Sequence, residues 1–510
     1  MISGFATPAG TRQMADRFAD RTFNLLGRTG LCVSRTGFGC YRVNAGNVTH
    51  ATALAKALDS GINLIDTSAN YADGGSEQLV GQVIADSIAK GGLSREQVVV
   101  VSKGGYLQGD NWTLHRRREA AGRPFTDVIL LKEGLAHCIH PDFLDDQIGR
   151  SLDRLGLDVL DGYLLHNPEY YLEWAAGQGM AAEAARSEYY RRIQQALQYL
   201  ESEVQRGRIR FYGISSNTFP APADNSGFTE LQRIWETVQA ALPEHHFQVV
   251  QLPFNLLEAG AVLETNQPDG KSVLDAAREK NLAVLVNRPL NAFTGKRMLR
   301  LAGIDVHQRM DYRAIIDRIE DLAQSETRLW RTILPEVASI PGGVRIRIKQ
   351  QGCFAETLKH HWRSFGSYER WREAKDGIFL PRVQAVMDYL AQHADNHDAL
   401  ARWIPAHMQT LDQALRAVGS NYAADALAQE KKIIDLIDRA DPHWARPGSL
   451  SQKAIRALIS TGGITTVLVG MRSPAYVGDV LDADDPSIDQ QDRTGSWQRL
   501  AADSREIFPD

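Results

Sequence analysis

From residue 36 onward the chain alternates short apolar runs with longer stretches of helical period, the pattern that repeated βα units around a parallel sheet produce. The runs at 37–41, 62–66, 98–103, 160–165, 210–214, 248–252, 282–287 and 465–469 are brief and rich in Val, Ile or Leu, as strands covered on both faces should be. Between them, 49–60, 75–88, 142–154, 187–206 and 226–241 carry apolar residues at three- and four-residue spacing and predict helices. Eight such strands with intervening helices predict an α/β fold, a closed (β/α)8 TIM barrel. A hairpin over 22–34, with Gly27-Arg28-Thr29-Gly30 between two apolar pairs, is expected to plug its floor.

A barrel of this kind needs ~250 residues, so the 510 present demand additions. The longest, 294–447, reads as helical throughout, with amphipathic spacing over 311–325, 326–338, 381–394, 397–418 and 421–438 and few Pro or Gly inside them. It predicts an α-helical subdomain inserted between strands seven and eight. The expected organisation is an N-terminal extension (1–21), a barrel (22–294 and 448–510) and the insert (295–447). Smaller insertions follow strand three (104–140) and strand four (168–186). All three leave the C-terminal ends of strands, the face where active sites of this fold lie, and can wall a substrate pocket.

Composition narrows the function classes. A chain that is 43% hydrophobic and 23% charged, with a formal net charge of -5, can bury a large core and lacks the basic excess of a nucleic-acid binder. No apolar run approaches the ~20 residues of a membrane span, and the N-terminus lacks a secretory apolar region; neither a membrane nor a nucleic-acid partner is expected, and the expected location is the cytoplasm. Cys32, Cys40, Cys138 and Cys353 are scattered and fit a reducing compartment. His137, Cys138 and His140 have no second ligand cluster and read as structural, so no metal is expected. The basic run His115–Arg118 reads as a solvated loop.

The chemistry is concentrated at strand ends. Asp66 closes the second strand, and Tyr71 follows on its loop. Lys103 closes the third strand and His166 the fourth, so all four emerge on one rim. Taken singly, each has a plain structural role: Asp66 capping a turn, Lys103 snorkelling from a strand end, His166 satisfied in a loop. Together they suit carbonyl reduction, which needs a positioned acid to give a proton to the oxygen as charge develops there. Tyr71 can be that acid, with Lys103 lowering its pKa, Asp66 holding Lys103, and His166 bonding the carbonyl oxygen. Tyr106, Trp112 and Phe254 are candidate substrate contacts, or simply packing.

These segments resemble the aldo-keto reductase family over about 22–295 and 450–485. The resemblance is carried by Leu26-Gly-Arg-Thr-Gly-Leu31 with Val33-Ser34, Gly37-Phe-Gly39, Gly61 to Tyr71 with Ser76-Glu77, Val101-Ser-Lys103 and Asp161 to His166. Further matches are Arg208-Ile-Arg with Gly213-Ile-Ser-Ser-Asn217, Gln251 with Phe254-Asn255, and Pro289-Leu290. It implies Tyr71 as general acid/base with Asp66, Lys103 and His166 as partners. It also implies NADP(H) bound extended across the barrel mouth without a glycine-rich Rossmann loop, in keeping with the absence of a strand–GxGxxG–helix unit. The carboxamide would be held by Ser215 or Ser216, Asn217 and Gln251. Two departures stand out. The ring often found after strand seven is replaced by Asn287 or Arg288. After strand eight, Gly470-Met471-Arg472 offers Arg472 to an adenosine 2′-phosphate.

The expected function is therefore NADP(H)-dependent interconversion of a small carbonyl (aldehyde, ketone or sugar-like) and its alcohol. The rival reading is a non-catalytic nicotinamide-binding regulator or scaffold whose insert contacts a protein partner; retention of all four groups argues against it.

Overall fold

The computed structural model describes residues 1–294, 297–303 and 310–507. Eight parallel strands close into a barrel in chain order: β1 (Thr36–Gly39), β2 (Leu64–Asp66), β3 (Val99–Gly104), β4 (Leu160–His166), β5 (Ile209–Ser215), β6 (Phe247–Pro253), β7 (Ala283–Asn287) and β8 (Thr466–Val469), which pairs back onto β1. The barrel is filled by side chains rather than hollow: Leu64, Val99, Val101, Leu164, Phe211, Val249, Leu285 and Leu468 meet in its interior. Small residues make room for large ones there. A Cβ on Gly162 would lie 2.4 Å from the Phe211 ring, so the glycine on β4 is what lets that ring turn inward from β5.

The predicted hairpin is present, with Phe23–Leu25 antiparallel to Cys32–Ser34. Leu26, Leu31 and Val33 join the same interior cluster, and Gly27 approaches the backbone of Gln248 and Ala283 at the start of β6 and β7. The hairpin therefore seals the N-terminal end of the barrel.

Several expectations are corrected. The helix predicted over 226–241 is Leu231–Ala241, because Asn225 accepts the Gly227 N–H and the Glu230 N–H donates to Tyr190. The basic run lies on a helix, Gly109–Ala120, with His115 buried and Arg116 paired to Glu119 at 2.7 Å; it is not a loop. That helix shares the insertion after β3 with a three-stranded antiparallel sheet of Tyr106–Leu107, Leu135–His137 and Ile129–Lys132, which the sequence reading missed.

The chain divides into two compact units, one of Met1–Leu301 with Leu436–Asp510, the other of Ala302–Asp435. The expected start of the insert, residue 295, and the last barrel residues, 508–510, lie outside the described residues. The stretch from 294 is not helical throughout: Arg297–Arg300 pairs antiparallel with Asn291–Thr294. The second unit packs around Ile315, Ile319, Leu322, Leu358, Trp371 and Val383. The helices expected at 397–418 and 421–438 are one helix, Asp398–Ala440. Gly419 lies inside it and serves a close approach, since a Cβ there would lie 3.0 Å from Trp371, and Ser420 bonds back to the Ala417 carbonyl. Among the described residues, no helix is long and apolar enough to cross a membrane.

Candidate active site

Parallel strands put all their C-terminal ends on one rim, and register decides which residues meet there. Gly39 faces Asp66, Lys103 faces Leu164, and His166, Ser215 and Gln251 stand side by side on β4, β5 and β6. Tyr71 opens a short turn, Tyr71–Gly74, in which Ala72 and Asp73 take left-handed φ of 49° and 54°.

The turn brings Tyr71 back over β3. The Lys103 ammonium, wholly buried, donates to Asp66 Oδ2 at 2.7 Å, to the Thr67 carbonyl at 2.9 Å and to the Tyr71 hydroxyl oxygen at 3.2 Å. All three of its protons are thus used. Burial alone would lower the Lys103 pKa, but the Asp66 carboxylate and the Tyr71 oxygen together outweigh it and hold the pKa above the ordinary value. Tyr71 departs from the simple expectation. Burial raises its pKa, and this outweighs the downward pull of Lys103, so the phenol is protonated at neutral pH. Because Lys103 donates to its oxygen, its own proton is free to point elsewhere.

The other Asp66 oxygen is also taken, by Gln251 Nε2 at 2.7 Å. Gln251 Oε1 in turn accepts from Ser215 Oγ at 2.9 Å. His166 is buried, with its ring edge-on to Tyr71 at 5.9 Å and to Tyr106 at 4.8 Å. Burial, then the Lys103 charge, depress its pKa well below the ordinary imidazole value, so the ring is neutral. His137, expected to be structural, donates from Nε2 to the His166 carbonyl at 2.7 Å and steadies the loop.

The remaining candidates separate. Ser216 is buried among the hydroxyls of Thr218 and Thr229, and the Asn217 N–H donates to Glu169 Oε1 at 2.8 Å. Tyr106 lies beside the tetrad, accepting from Asn167 Nδ2 at 2.6 Å and donating to the Tyr170 hydroxyl. Arg288, at φ 51°, is paired with Glu258 at 2.9 Å and lies over the Phe293 ring. Gly470 is exposed past β8, and the Arg472 charge reaches His50. Phe254 is fully buried with its ring 4.6 Å from Trp497, and Trp112, partly buried, packs on the cluster of Leu107, Phe125 and Phe143.

Sequence reasoning missed Ser68, Tyr41 and Glu169. Tyr41 follows β1 on the same rim and meets the Tyr71 ring edge-on at 5.3 Å; its strand-end position was the available signal. Ser68 and Glu169 follow Asp66 and His166 by two and three residues, but nothing in their local sequence marks them.

The profile described as "Aldo/keto reductase family" matches residues 37–343. The chain belongs to the aldo/keto reductase family. Among curated relatives, an NADH-specific methylglyoxal reductase of Escherichia coli is 32% identical over 149 residues, covering 28% of this chain and 40% of that protein. A 6-dehydroglucose reductase of Novosphingobium aromaticivorans is 28% identical over 214 residues, covering 40% of this chain and 55% of that protein. The chain thus spans about half the length of the curated relatives it matches. An aldo/keto reductase of Klebsiella pneumoniae, solved with NADP and acetate, is 17% identical, with a TM-score of 0.43 and 96% of each chain covered.

Proposed function

We propose that this chain is an NADP(H)-dependent oxidoreductase that interconverts a carbonyl, on an aldehyde, ketone or sugar-like substrate, and the alcohol, with Tyr71 as general acid/base and Asp66, Lys103 and His166 as its partners. The observation that carries this reading is the Lys103 ammonium held between Asp66 and the hydroxyl of a protonated Tyr71.

The rim suits a nicotinamide amide. Asn287 Oδ1 is a buried acceptor with no partner among the described residues, and Asn287 Nδ2 donates to Gln251 Oε1 at 3.4 Å. An amide N–H would satisfy it. Ser215, Ser216, Asn217, Gln251 and Asn287 would hold that end of the cofactor, and Arg472, beside Gly470, would take the adenosine 2′-phosphate. Arg288 is a weaker contact because Glu258 already pairs with it. When bound, the reduced cofactor supplies the hydride. The chain supplies the rest: Tyr71 gives its proton to the carbonyl oxygen as the C=O π pair moves onto it, and the phenolate left behind faces the Lys103 ammonium, which stabilises it. In the alcohol-oxidising direction the same phenolate takes the proton back.

Purified protein with NADPH and a panel of aldehydes and ketones tests the reading. In single-turnover experiments, Tyr71→Phe is expected to slow hydride transfer ~100- to 10,000-fold while binding of NADPH, followed by its fluorescence, stays unchanged. Wild-type rates in that variant, or no reduction of any carbonyl by the native chain, would overturn it.

A further inference from the structure

Tyr71 is carried by a turn that an unconstrained chain would not adopt. Ala72, Asp73 and Gly74 take left-handed φ of 49°, 54° and 88° in succession, and for the two residues with a Cβ that backbone is unfavourable unless neighbours impose it. Two neighbours do. The Arg154 side chain fills the space that a Cβ on Gly74 would need, and its Nε donates to Glu77 Oε2 at 2.6 Å. The segment inserted after β3 closes on the same turn. Gln108 Nε2 donates to the Asn70 carbonyl at 3.3 Å, and the Asp110 N–H donates to both oxygens of the Asp73 carboxylate, at 3.1 and 3.2 Å. Asp110 lies in the first turn of the 12-residue helix Gly109–Ala120, whose N-terminus attracts a carboxylate. Gly109, at φ 55°, has no room for a Cβ against Asp73, so the approach depends on a glycine there. The inserted segment also reaches the loop after β4, where His137 bonds the His166 carbonyl and Tyr106 accepts from Asn167.

We propose that Asp73 is a positioning residue for the reaction: seated on Gly109 and Asp110, it ties the Tyr71 turn to the inserted segment and keeps the phenol against the Lys103 ammonium. The inference rests on the functional reading above and deepens it. A glycine would adopt the angles of residue 73 without steric cost; what an aspartate adds there is the carboxylate on the helix end. Through that carboxylate and through His137, one insertion braces the loops of both Tyr71 and His166. Asp73 acts only through the backbone of its neighbours.

Three variants of the full chain separate the carboxylate from the backbone. Asp73→Gly removes the carboxylate and frees the turn, Ala72→Gly frees the turn alone, and Asp73→Asn keeps an acceptor on a residue that tolerates left-handed backbone. At saturating NADPH, single-turnover hydride transfer is expected to slow about ten- to a hundredfold in Asp73→Gly, the effect of misplacing a reacting group by about 1 Å. It is expected to stay near the wild-type rate in Ala72→Gly and to recover most of the loss in Asp73→Asn. NADPH affinity and the denaturation midpoint are expected to hold in Asp73→Gly, where relief of the left-handed backbone offsets the lost helix-end contact. A 13C label at the tyrosine Cζ, with the Tyr71 signal assigned by its loss in Tyr71→Phe, reads the phenol without any reaction; it is expected to shift in Asp73→Gly and to return in Asp73→Asn. A wild-type rate in Asp73→Gly, an equal slowing in Ala72→Gly, or a Tyr71 signal unmoved by Asp73→Gly overturns the proposal. If the native chain reduces no carbonyl, the oxidoreductase reading falls and the role in the reaction with it, while the label still decides whether Asp73 holds Tyr71 in place.

Discussion

Gln251 donates from Nε2 to Asp66 Oδ1 at 2.7 Å across 185 residues of sequence. The bond completes the coordination of Asp66, whose other oxygen is held by Lys103 at 2.7 Å. Gln251 thus has a role within the tetrad's own network, beside the coenzyme contact proposed for it. Gln251→Leu keeps most of the bulk but leaves a buried carboxylate oxygen without its donor. The expected loss of unfolding free energy is about 1.5–3 kcal/mol, the range for hydrogen bonds to charged groups, together with weaker NADPH binding. Denaturant melts and coenzyme fluorescence check the two effects separately.

Lys103→Met removes a charge from a buried pair and strands the Asp66 carboxylate. Breaking such a pair from one side costs about 3–5 kcal/mol. Adding Asp66→Asn is expected to restore part of that stability, because the stranded charge is gone, yet not the hydride-transfer rate, because nothing then stabilises the Tyr71 phenolate. Melts and single-turnover rates on the single and double variants would show the split; a double variant with normal turnover would refute the role given to Lys103.

Glu169 is nine-tenths buried, and burial raises its carboxyl from an ordinary 4.5 to about 7, against the Asn217 N–H that favours its charged form. Between those values the folded state binds more protons than the unfolded one, so its share of stability is full below pH 4.5 and is lost as pH climbs to about 7. The upper limit is about 3 kcal/mol, at 1.36 kcal/mol per pKa unit. Glu169→Gln is expected to flatten this part of the pH–stability curve. Glu326 of the helical unit, raised likewise to about 7, contributes a second share that Glu326→Gln removes independently. Melts at several pH values between 4 and 8 check both.

Arg472 is the proposed reader of the 2′-phosphate. A charge-assisted bond there is worth ~1.5–3 kcal/mol, so Arg472→Ala is expected to weaken NADPH binding by roughly one to two orders of magnitude and leave NADH nearly unchanged. Fluorescence titration with both coenzymes decides it. Equal losses for the two would show that the 2′-phosphate is read elsewhere.

Local pattern was enough to place the barrel strands and the tetrad. Short β-branched runs report strands by themselves, and in a parallel barrel the last residue of each run must stand on one rim, so Asp66, Lys103 and His166 were legible as neighbours from their positions alone. The hairpin floor was legible for the same reason, as two apolar pairs around a glycine turn. Other features depend on which distant segments meet. Phe254 reads as a rim aromatic but is covered by Trp497, some 240 residues later in the chain. The stretches 397–418 and 421–438 read as two helices but form one, Asp398–Ala440, in which Gly419 leaves room for Trp371. The partners of Gln251 and the orientation of His166 follow from register and from the Ser68 hydroxyl, 3.1 Å from His166 Nδ1. The sequence by itself determined which groups reach the mouth, because alternation and strand ends are local properties. Only the tertiary structure decided which atom each group faces and which proton it carries, because hydrogen bonds and burial are set by neighbours that the linear order does not name.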